Sequence, residues 1–241
     1  MRVLLTLTLA ACSTLTAGWG QQIPTNESNR TELLMKLRSD NVRARSEALE
    51  HLRTDPVALR DSKVKAALVN LLDRENQVTL SSEDEGYAEY VSWLADTVAK
   101  VVHWSDSRQV CILANSVDLP DQLADHAKAA VPCLLQRSKS APALLRGKVV
   151  AMLVQALAKG RNDLDVVTVE TVQQIILRAL QDSDAGVRID TVDALAKFGG
   201  EDMIPALRVV AEKDPDPSES YAIRKWAAEA IAAIQKRAHQ H

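Results

Sequence analysis

Apolar residues recur along this chain at intervals of three and four, which is the period of an α-helix. One such stripe consists of Val172, Ile175, Ile176, Ala179 and Leu180. A polar break at 182–184 then supplies an N-cap for a second helix, and Gly199-Gly200 supplies its C-terminal end. No long stretch alternates apolar and polar residues as a half-buried strand would. The pattern therefore predicts an all-α fold.

The helical pattern also repeats. Val187-Arg188, which follows the capping residue Asp184, returns 36 residues later as Ile223-Arg224, and a weaker copy is Val42-Arg43. An independent apolar-Pro pair occurs at Val131-Pro132 and again 73 residues later, which is about two periods. Proline is tolerated in the first turn of a helix, so this pair marks where the other helix of a unit begins. We therefore expect helix pairs that recur about every 36 residues.

Six such pairs account for most of the chain, and their stacking would bury a continuous core. The predicted pairs are 30–38 with 40–53, 61–74 with 84–102, 107–116 with 119–126, 128–137 with 141–160, 164–182 with 184–198, and 201–213 with 217–238.

An apolar-Pro-x-Leu start to the first helix, followed by Asp-x-x-Val-Arg at the start of an Ala-Leu-rich second helix, resembles the HEAT-repeat family. The match is best over 164–238, whereas 61–126 matches by spacing more than by motif. The resemblance implies an α-solenoid over 30–238 that binds another protein or peptide. It also implies that the repeated arginine pairs with an acid of a capping turn. The matching residues are Arg43, Asp184 with Arg188, and Arg224 with Asp216 or Glu219.

The N-terminus has the pattern of a targeting segment. A single charge at Arg2 precedes a short apolar run, and small residues lead up to Gln21, which predicts a signal peptide over 1–20. An alternative is the lipobox-like run that ends at Cys12, which would carry a lipid anchor. The protein is therefore expected in the periplasm or outside the cell, or else as a membrane-anchored lipoprotein. Residues 21–29 are predicted to be a flexible polar segment, and 239–241 a short tail.

Composition argues against most catalytic and metal chemistry. The chain contains no Gly-x-Ser-x-Gly elbow, no P-loop and no Cys-x-x-Cys pair, and its five histidines form no ligand pair at helical spacing. The net charge of −3 lacks the basic signature of a nucleic-acid-binding protein. We expect no cofactor and no metal. The leading hypothesis is a non-enzymatic interaction scaffold of the bacterial envelope or extracellular space. The alternatives are an enzyme or enzyme accessory on a HEAT scaffold, as in the bilin lyases, and a structural spacer in an envelope complex.

Two cysteines would remain after removal of the signal peptide. Cys111 and Cys133 fall in the first helices of neighbouring units, so a disulfide in an oxidising compartment is one interpretation. Two separate buried thiols are the other.

Aromatic residues make up only 3% of the chain, yet several lie close together beside an acidic segment. Tyr and Trp are favoured anchors of protein interfaces, so this region is a candidate partner-binding surface. Its alternative role is to fill a gap in the core behind a longer loop. The candidate residues are Glu83, Asp84, Glu85, Tyr87, Tyr90 and Trp93.

Overall fold

A computed structural model describes residues 27–77, 85–215 and 222–240. Within these ranges the ordered elements are helices, and no residue is in a strand, which confirms the all-α prediction. The predicted signal peptide, the lipidation candidate Cys12, the acids Glu83 and Asp84, and the two proposed partners of Arg224 lie outside the described residues.

The described helices lie close to the predicted helix ranges. They are α1 Glu27–Arg38, α2 Val42–Thr54, α3 Ser62–Glu75, α4 Glu85–Ala99, α5 Ser107–Ala114, α6 Gln122–Asp125, α7 Ala127–Ser138, α8 Ala143–Gly160, α9 Val166–Ala179, α10 Ala185–Phe198, α11 Ile204–Lys213 and α12 Ile223–Ala238. Single turns of 3-10 helix occur at Ala58–Arg60, Arg161–Asp163 and Glu201–Met203. The predicted third pair is irregular, because its second helix, α6, has only four residues.

Short polar side chains fix where several helices begin. The side chains of Asn41, Asp61, Asp106, Asp165 and Asp184 accept hydrogen bonds from backbone N–H groups in the first turns of α2, α3, α5, α9 and α10. Each satisfies a donor that has no partner within its helix. The helix starts are therefore local properties of the sequence, which explains why the pattern predicts them well.

Helices pack against their neighbours in the chain. One row consists of α1, α3, α5 and α7, in which each helix contacts the next, and α2 and α4 pack on each other beside it. In the C-terminal half α8, α10 and α12 form a second row, with α9 against α8 and α11 against α12. Buried leucines, valines and alanines connect these contacts into one core. The amphipathic stripes of the helices face this core, and their other faces are exposed.

Two glycines of α8 allow residues of neighbouring helices to approach its backbone closely. A Cβ atom at Gly160 would overlap the Cβ atom of Ala127, at the point where the end of α8 meets the start of α7. A Cβ atom at Gly147 would likewise overlap the Asp190 carboxylate of α10. A longer side chain at Gly160 would push two helices apart, whereas one at Gly147 would displace the Asp190 carboxylate.

Two arginines bind the C-terminal ends of preceding helices. The Arg137 guanidinium, on α7, is buried and donates to the carbonyls of Ala114 and Ser116 at the end of α5. Arg237, on α12, donates to the carbonyls of Ala196 and Gly199 at the end of α10. Burial lowers the pKa of Arg137 to about 10, which leaves it charged at neutral pH. Both cations lie at the negative end of a helix dipole.

None of the helices in the described ranges is both long and apolar enough to cross a membrane.

Candidate functional site

Two of the predicted partner-binding aromatics belong to a buried network. Tyr90 is only 2% exposed, and its hydroxyl accepts a hydrogen bond from Nε of Arg45 at 2.9 Å. The Tyr87 hydroxyl donates to Oε2 of Glu75 at 2.7 Å. The same carboxylate pairs through Oε1 with the Arg45 guanidinium at 3.2 Å. Tyr87 and Tyr90 therefore hold α2, α3 and α4 together, and this favours the core-filling alternative for both residues.

The chemistry of this network fits its burial. Desolvation raises the pKa of Tyr90 to about 12, and the nearby Glu75 carboxylate adds to the effect. Desolvation and the hydrogen bond to Glu75 also raise the pKa of Tyr87. Both hydroxyls thus stay protonated at neutral pH and can make the hydrogen bonds that the buried charges require.

In α2, the arginine that contacts the next helix pair lies two residues after the one that the sequence motif selects. Arg43 is exposed and pairs within its own helix with Glu47 at 3.5 Å. Arg45, two residues later, makes the contact between helix pairs, because its acid, Glu75, ends the first helix of the next pair. Arg45, rather than the predicted Arg43, thus makes the contact between these helix pairs in the structure.

The same contact recurs twice further along the chain. Arg188 forms a bidentate pair with Asp214, which follows α11, at 2.7 and 3.2 Å. Arg146, on α8, forms a bidentate pair with Asp182, which follows α9, at 2.8 and 2.9 Å. Hydrogen bonding to Arg146 lowers the pKa of the Asp182 carboxyl and keeps it ionised.

A common position in the helix unites these arginines. Arg45, Arg146 and Arg188 each lie four residues after the N-cap of their helix, and each also donates to a carbonyl of the turn that precedes it. Arg146 is absent from the predicted set, because its apolar-Arg pair, Leu145-Arg146, follows Pro142 rather than a polar capping residue.

Asp184 has a role other than the predicted ion pair, whereas the acids predicted for Arg224 lie outside the described residues. The Asp184 side chain accepts from the backbone N–H of Val187 and caps α10, while the carboxylate of Asp214 binds the arginine. Arg224 donates from Nε and Nη2 to the backbone carbonyl of Asp214 at 2.9 and 2.7 Å. Arg188 and Arg224 thus meet at one residue, which joins α10, α11 and α12.

Trp93 is the most exposed of the predicted site residues whose side chains the structure describes. It is 38% exposed, and the Arg53 guanidinium at the end of α2 lies 6.0 Å from its ring centre. Glu85, another predicted site residue, is the first residue of α4, the helix that also carries Trp93. A large aromatic ring left partly in water contributes little to the core and remains available to a partner.

Carboxylates from separate elements lie around Ser92 and Asp96, which are near Trp93 along α4. Ser92, its neighbour on α4, donates to Oδ2 of Asp118 at 2.6 Å. Partial desolvation raises the pKa of Asp96, Lys100 opposes this shift, and the carboxylates of Asp118 and Asp121 reinforce it. We call these residues, Trp93 with Asp96, Asp118 and Asp121, the Trp93 surface. Cations accompany its carboxylates, because Nζ of Lys148 lies 3.9 Å from Asp118 and the Arg53 guanidinium lies over the Trp93 ring. The Asp118 part of the surface emerges only from the tertiary structure.

Cys111 and Cys133 form a disulfide that joins α5 to α7. Their Cα atoms lie 5.1 Å apart, within the range that a disulfide spans. The bond closes a loop with a sequence separation of 22 residues, which contains the irregular α6 region. The segment with the weakest repeat pattern is thus covalently closed.

The described residues contain no cluster of three or more His, Cys, Asp or Glu side chains that could hold a metal ion. His103 and His126, the two histidines nearest to a ligand pair in the sequence, have other neighbours. Nδ1 of His103 lies 2.8 Å from the Ser105 hydroxyl, and the His126 ring stacks on Trp104 at 3.9 Å.

Comparison with known proteins gives little further information. No family model and no curated protein sequence matches this chain. Among solved structures the chain is similar to a crystal structure of an engineered protein from the Northeast Structural Genomics Consortium. The similarity extends over 86% of this chain and 97% of the engineered one, at 17% identity and a TM-score of 0.44. A likeness at this level carries no argument about function.

Proposed function

We propose that this protein is a non-enzymatic interaction scaffold, built as a HEAT-type α-solenoid of about six helix pairs, that binds another protein through the Trp93 surface. The alternation of helix pairs and the recurring arginine contact between neighbouring pairs support the solenoid. Solenoids present extended surfaces for binding rather than enclosed catalytic clefts.

The single observation that carries the proposal is the exposure of the Trp93 ring, a large aromatic side chain that the core does not enclose. Tyr90, one turn away on α4, is fully committed to the buried network, whereas Trp93 has its ring partly in solvent. An aromatic anchor beside carboxylates is suited to a partner that offers an apolar side chain next to Lys or Arg. Such a partner would cover the ring and neutralise Asp96 and Asp118.

The proposal includes export, either in soluble form or with a lipid at Cys12. The disulfide between Cys111 and Cys133 supports this location, because such bonds persist mainly in oxidising compartments. Intact-mass measurement of the protein purified from its own cells tests it. A mature chain that begins at Gln21 or at an acylated Cys12 is expected, and an uncleaved N-terminus would contradict export.

Site-specific photo-crosslinking tests the binding surface. A benzoylphenylalanine residue in place of Trp93 should crosslink to one protein in the native cells, and the product should be lost when Asp96 and Asp118 are both replaced by Lys. Phe198, on α10, is the matched control because its side chain is 36% exposed. Equal crosslinking from positions 93 and 198, or insensitivity to the Lys substitutions, would show that Trp93 is not a specific anchor.

The crosslinked partner can then be used to measure affinity. Trp93→Ala should weaken its binding by about thirtyfold, the loss that a central aromatic anchor typically causes. Leu144→Ala, which removes a 72% exposed apolar side chain from α8, should leave affinity unchanged. An equal loss in both variants would argue for nonspecific apolar adhesion.

A further inference from the structure

A second surface, distinct from the Trp93 surface, crosses the row of α1, α3 and α5. Two cavities of about 260 and 320 Å³ adjoin each other over α3 and share Ala66 and Asn70 in their walls. The first lies between α1 and α3, and the second lies between α3 and α5. We call them together the basic groove. Its small central residues make it a continuous depression across three helices.

The sides of this groove are cationic and its floor is apolar. Buried side chains form the floor, namely Leu37, Leu71, Val69 and Ile112. The cationic residues that line it are Arg38, Lys63, Lys65, Arg74 and Arg108.

The acids near the groove are already engaged. Asp106 accepts hydrogen bonds from the backbone N–H groups of Arg108 and Gln109 and caps α5. Asp73 lies 3.8 Å from the Arg108 guanidinium. Over the part of the chain that the structure describes, no carboxylate is within ion-pair distance of Arg38, Lys63 or Lys65. The groove therefore keeps an uncompensated positive charge.

The positions of two of these cations do not favour folding. Lys63 and Lys65 lie in the first turn of α3, directly after the N-cap Asp61. The positive end of the helix dipole lies there and favours acids over bases. Neither lysine recovers this cost through an ion pair within the described residues. A charge that costs stability without a local partner is expected where an external ligand supplies the counter-charge.

We propose that the basic groove is a second docking site, which binds an acidic polypeptide segment with apolar side chains between its carboxylates. Carboxylates of such a segment would reach the cations of the rim, and its apolar side chains would contact Ala66 and Val101, which line the groove and are at least partly exposed. A polypeptide suits the apolar floor better than a nucleic acid does. The net charge of −3 would also repel a long polyanion.

Fluorescence anisotropy with a short labelled peptide of alternating Glu and Leu tests the proposal. The full-length protein should bind this peptide at low salt and release it as salt is raised, and a Lys-Leu peptide should not bind. Arg38→Glu with Lys63→Glu should weaken binding by about tenfold or more, since two attractive pairs become repulsive. Circular dichroism melting curves confirm that the variant remains folded.

Matched control variants show whether the peptide binds at the groove itself. Lys213→Glu with Lys236→Glu makes the same change in net charge at the far end of the chain, and should leave peptide affinity unchanged. Trp93→Ala should also leave it unchanged, so the groove and the Trp93 surface can fail independently.

Four results would overturn the proposal. The first is that the Glu-Leu peptide does not bind the unmodified protein at low salt. The second is an equal loss of binding in the groove variant and the control variant. The third is tighter binding of a single-stranded oligonucleotide of equal charge, which would make the occupant a nucleic acid. The fourth is self-association by light scattering that the groove variant abolishes, which would make the occupant a second copy of the chain.

Discussion

Replacing Arg45 with Met should lower the free energy of unfolding by about 3–5 kcal/mol, because the change leaves Glu75 buried without its cation. The side chains of Arg45 and Glu75 are 7% and 3% exposed, so water cannot replace the lost partner. The same substitution removes the donor to the buried Tyr90 hydroxyl, and it also removes the bond to the Ser39 carbonyl at 2.9 Å. The Tyr87 hydroxyl would still donate to the stranded carboxylate, and the half-exposed Arg74 would remain 3.9 Å from it.

A double-mutant cycle separates the pair from its surroundings. Glu75→Met should also be strongly destabilising, whereas Arg45→Met with Glu75→Met should cost less than the sum of the single changes by about 2 kcal/mol or more. Removing both charges leaves two tyrosine hydroxyls to satisfy rather than an isolated ion. Urea unfolding followed by circular dichroism measures each free energy.

Arg43→Met is the internal control for this cycle. Arg43 lies on the same helix, but its side chain is 88% exposed and pairs only at the surface with Glu47. Its replacement should leave the unfolding midpoint unchanged within error, as for most exposed ion pairs. Equal destabilisation by Arg43→Met and Arg45→Met would refute the register deduced from the structure. Additive effects of Arg45→Met and Glu75→Met, within about 0.5 kcal/mol, would refute their coupling.

Three other contacts can be tested by substitution. Replacing Cys111 and Cys133 with Ala should cost about 3 kcal/mol in urea unfolding, because the disulfide closes a loop of 22 residues, and reductant should then have no further effect on the variant. Gly160→Ala should cost about 1–3 kcal/mol by overlap with Ala127, and the compensating Ala127→Gly should recover most of the loss, whereas no recovery would locate the strain elsewhere. The pKa of Tyr90 is raised to about 12, so its contribution to stability is present below pH 10 and is lost as the pH rises through about 12. Tyr90→Phe should therefore flatten the fall in unfolding free energy above pH 10, and an unchanged slope would contradict the assignment.

The sequence predicts the helices of this fold because their signals are local. Capping residues such as Asn41 and Asp184 lie next to the N–H groups that they satisfy, and the apolar stripes follow the helical period. The predicted second helix of the last pair begins at 217, whereas α12 begins at Ile223. A sequence pattern cannot locate the start of a helix that lacks a polar N-cap residue. The residue before α12 is Ala222, whose side chain cannot cap the helix.

The sequence motif selects Arg43 where the structure uses Arg45, and the reason is geometric. Each residue advances by about 100° around a helix, so Arg43 and Arg45 point in nearly opposite directions. The apolar-Arg pair selects the first, whereas the distance from the cap selects the second. Counting four residues from the cap identifies Arg45, Arg146 and Arg188 together. The cap is the better reference because it fixes the rotation of the helix about its axis.

The candidate sites depend on contacts that no sequence pattern contains. Tyr90 and Trp93 are three residues apart on α4, yet only Tyr90 meets an arginine and a glutamate from two other helices. Asp118 reaches Ser92 from a loop 26 residues later in the chain. Aromatic clustering indicates the correct helix, but it does not separate the residue that the core uses from the residue that it leaves exposed.

The cations discussed above thus fall into two groups: those that pair with an acid of the fold, and those that do not. Arg45, Arg146 and Arg188 each join one helix pair to the next. Each does so through an ion pair with an acid of the neighbouring pair. Arg38 and Lys63 lie on the same scaffold without an acid of their own within the described residues. If this division is correct, substitutions in the first group should lower the free energy of unfolding. Substitutions in the second should leave stability unchanged and alter binding alone. A loss of stability from Arg38→Glu with Lys63→Glu comparable to that from Arg45→Met would show that the groove cations belong to the fold rather than to a partner.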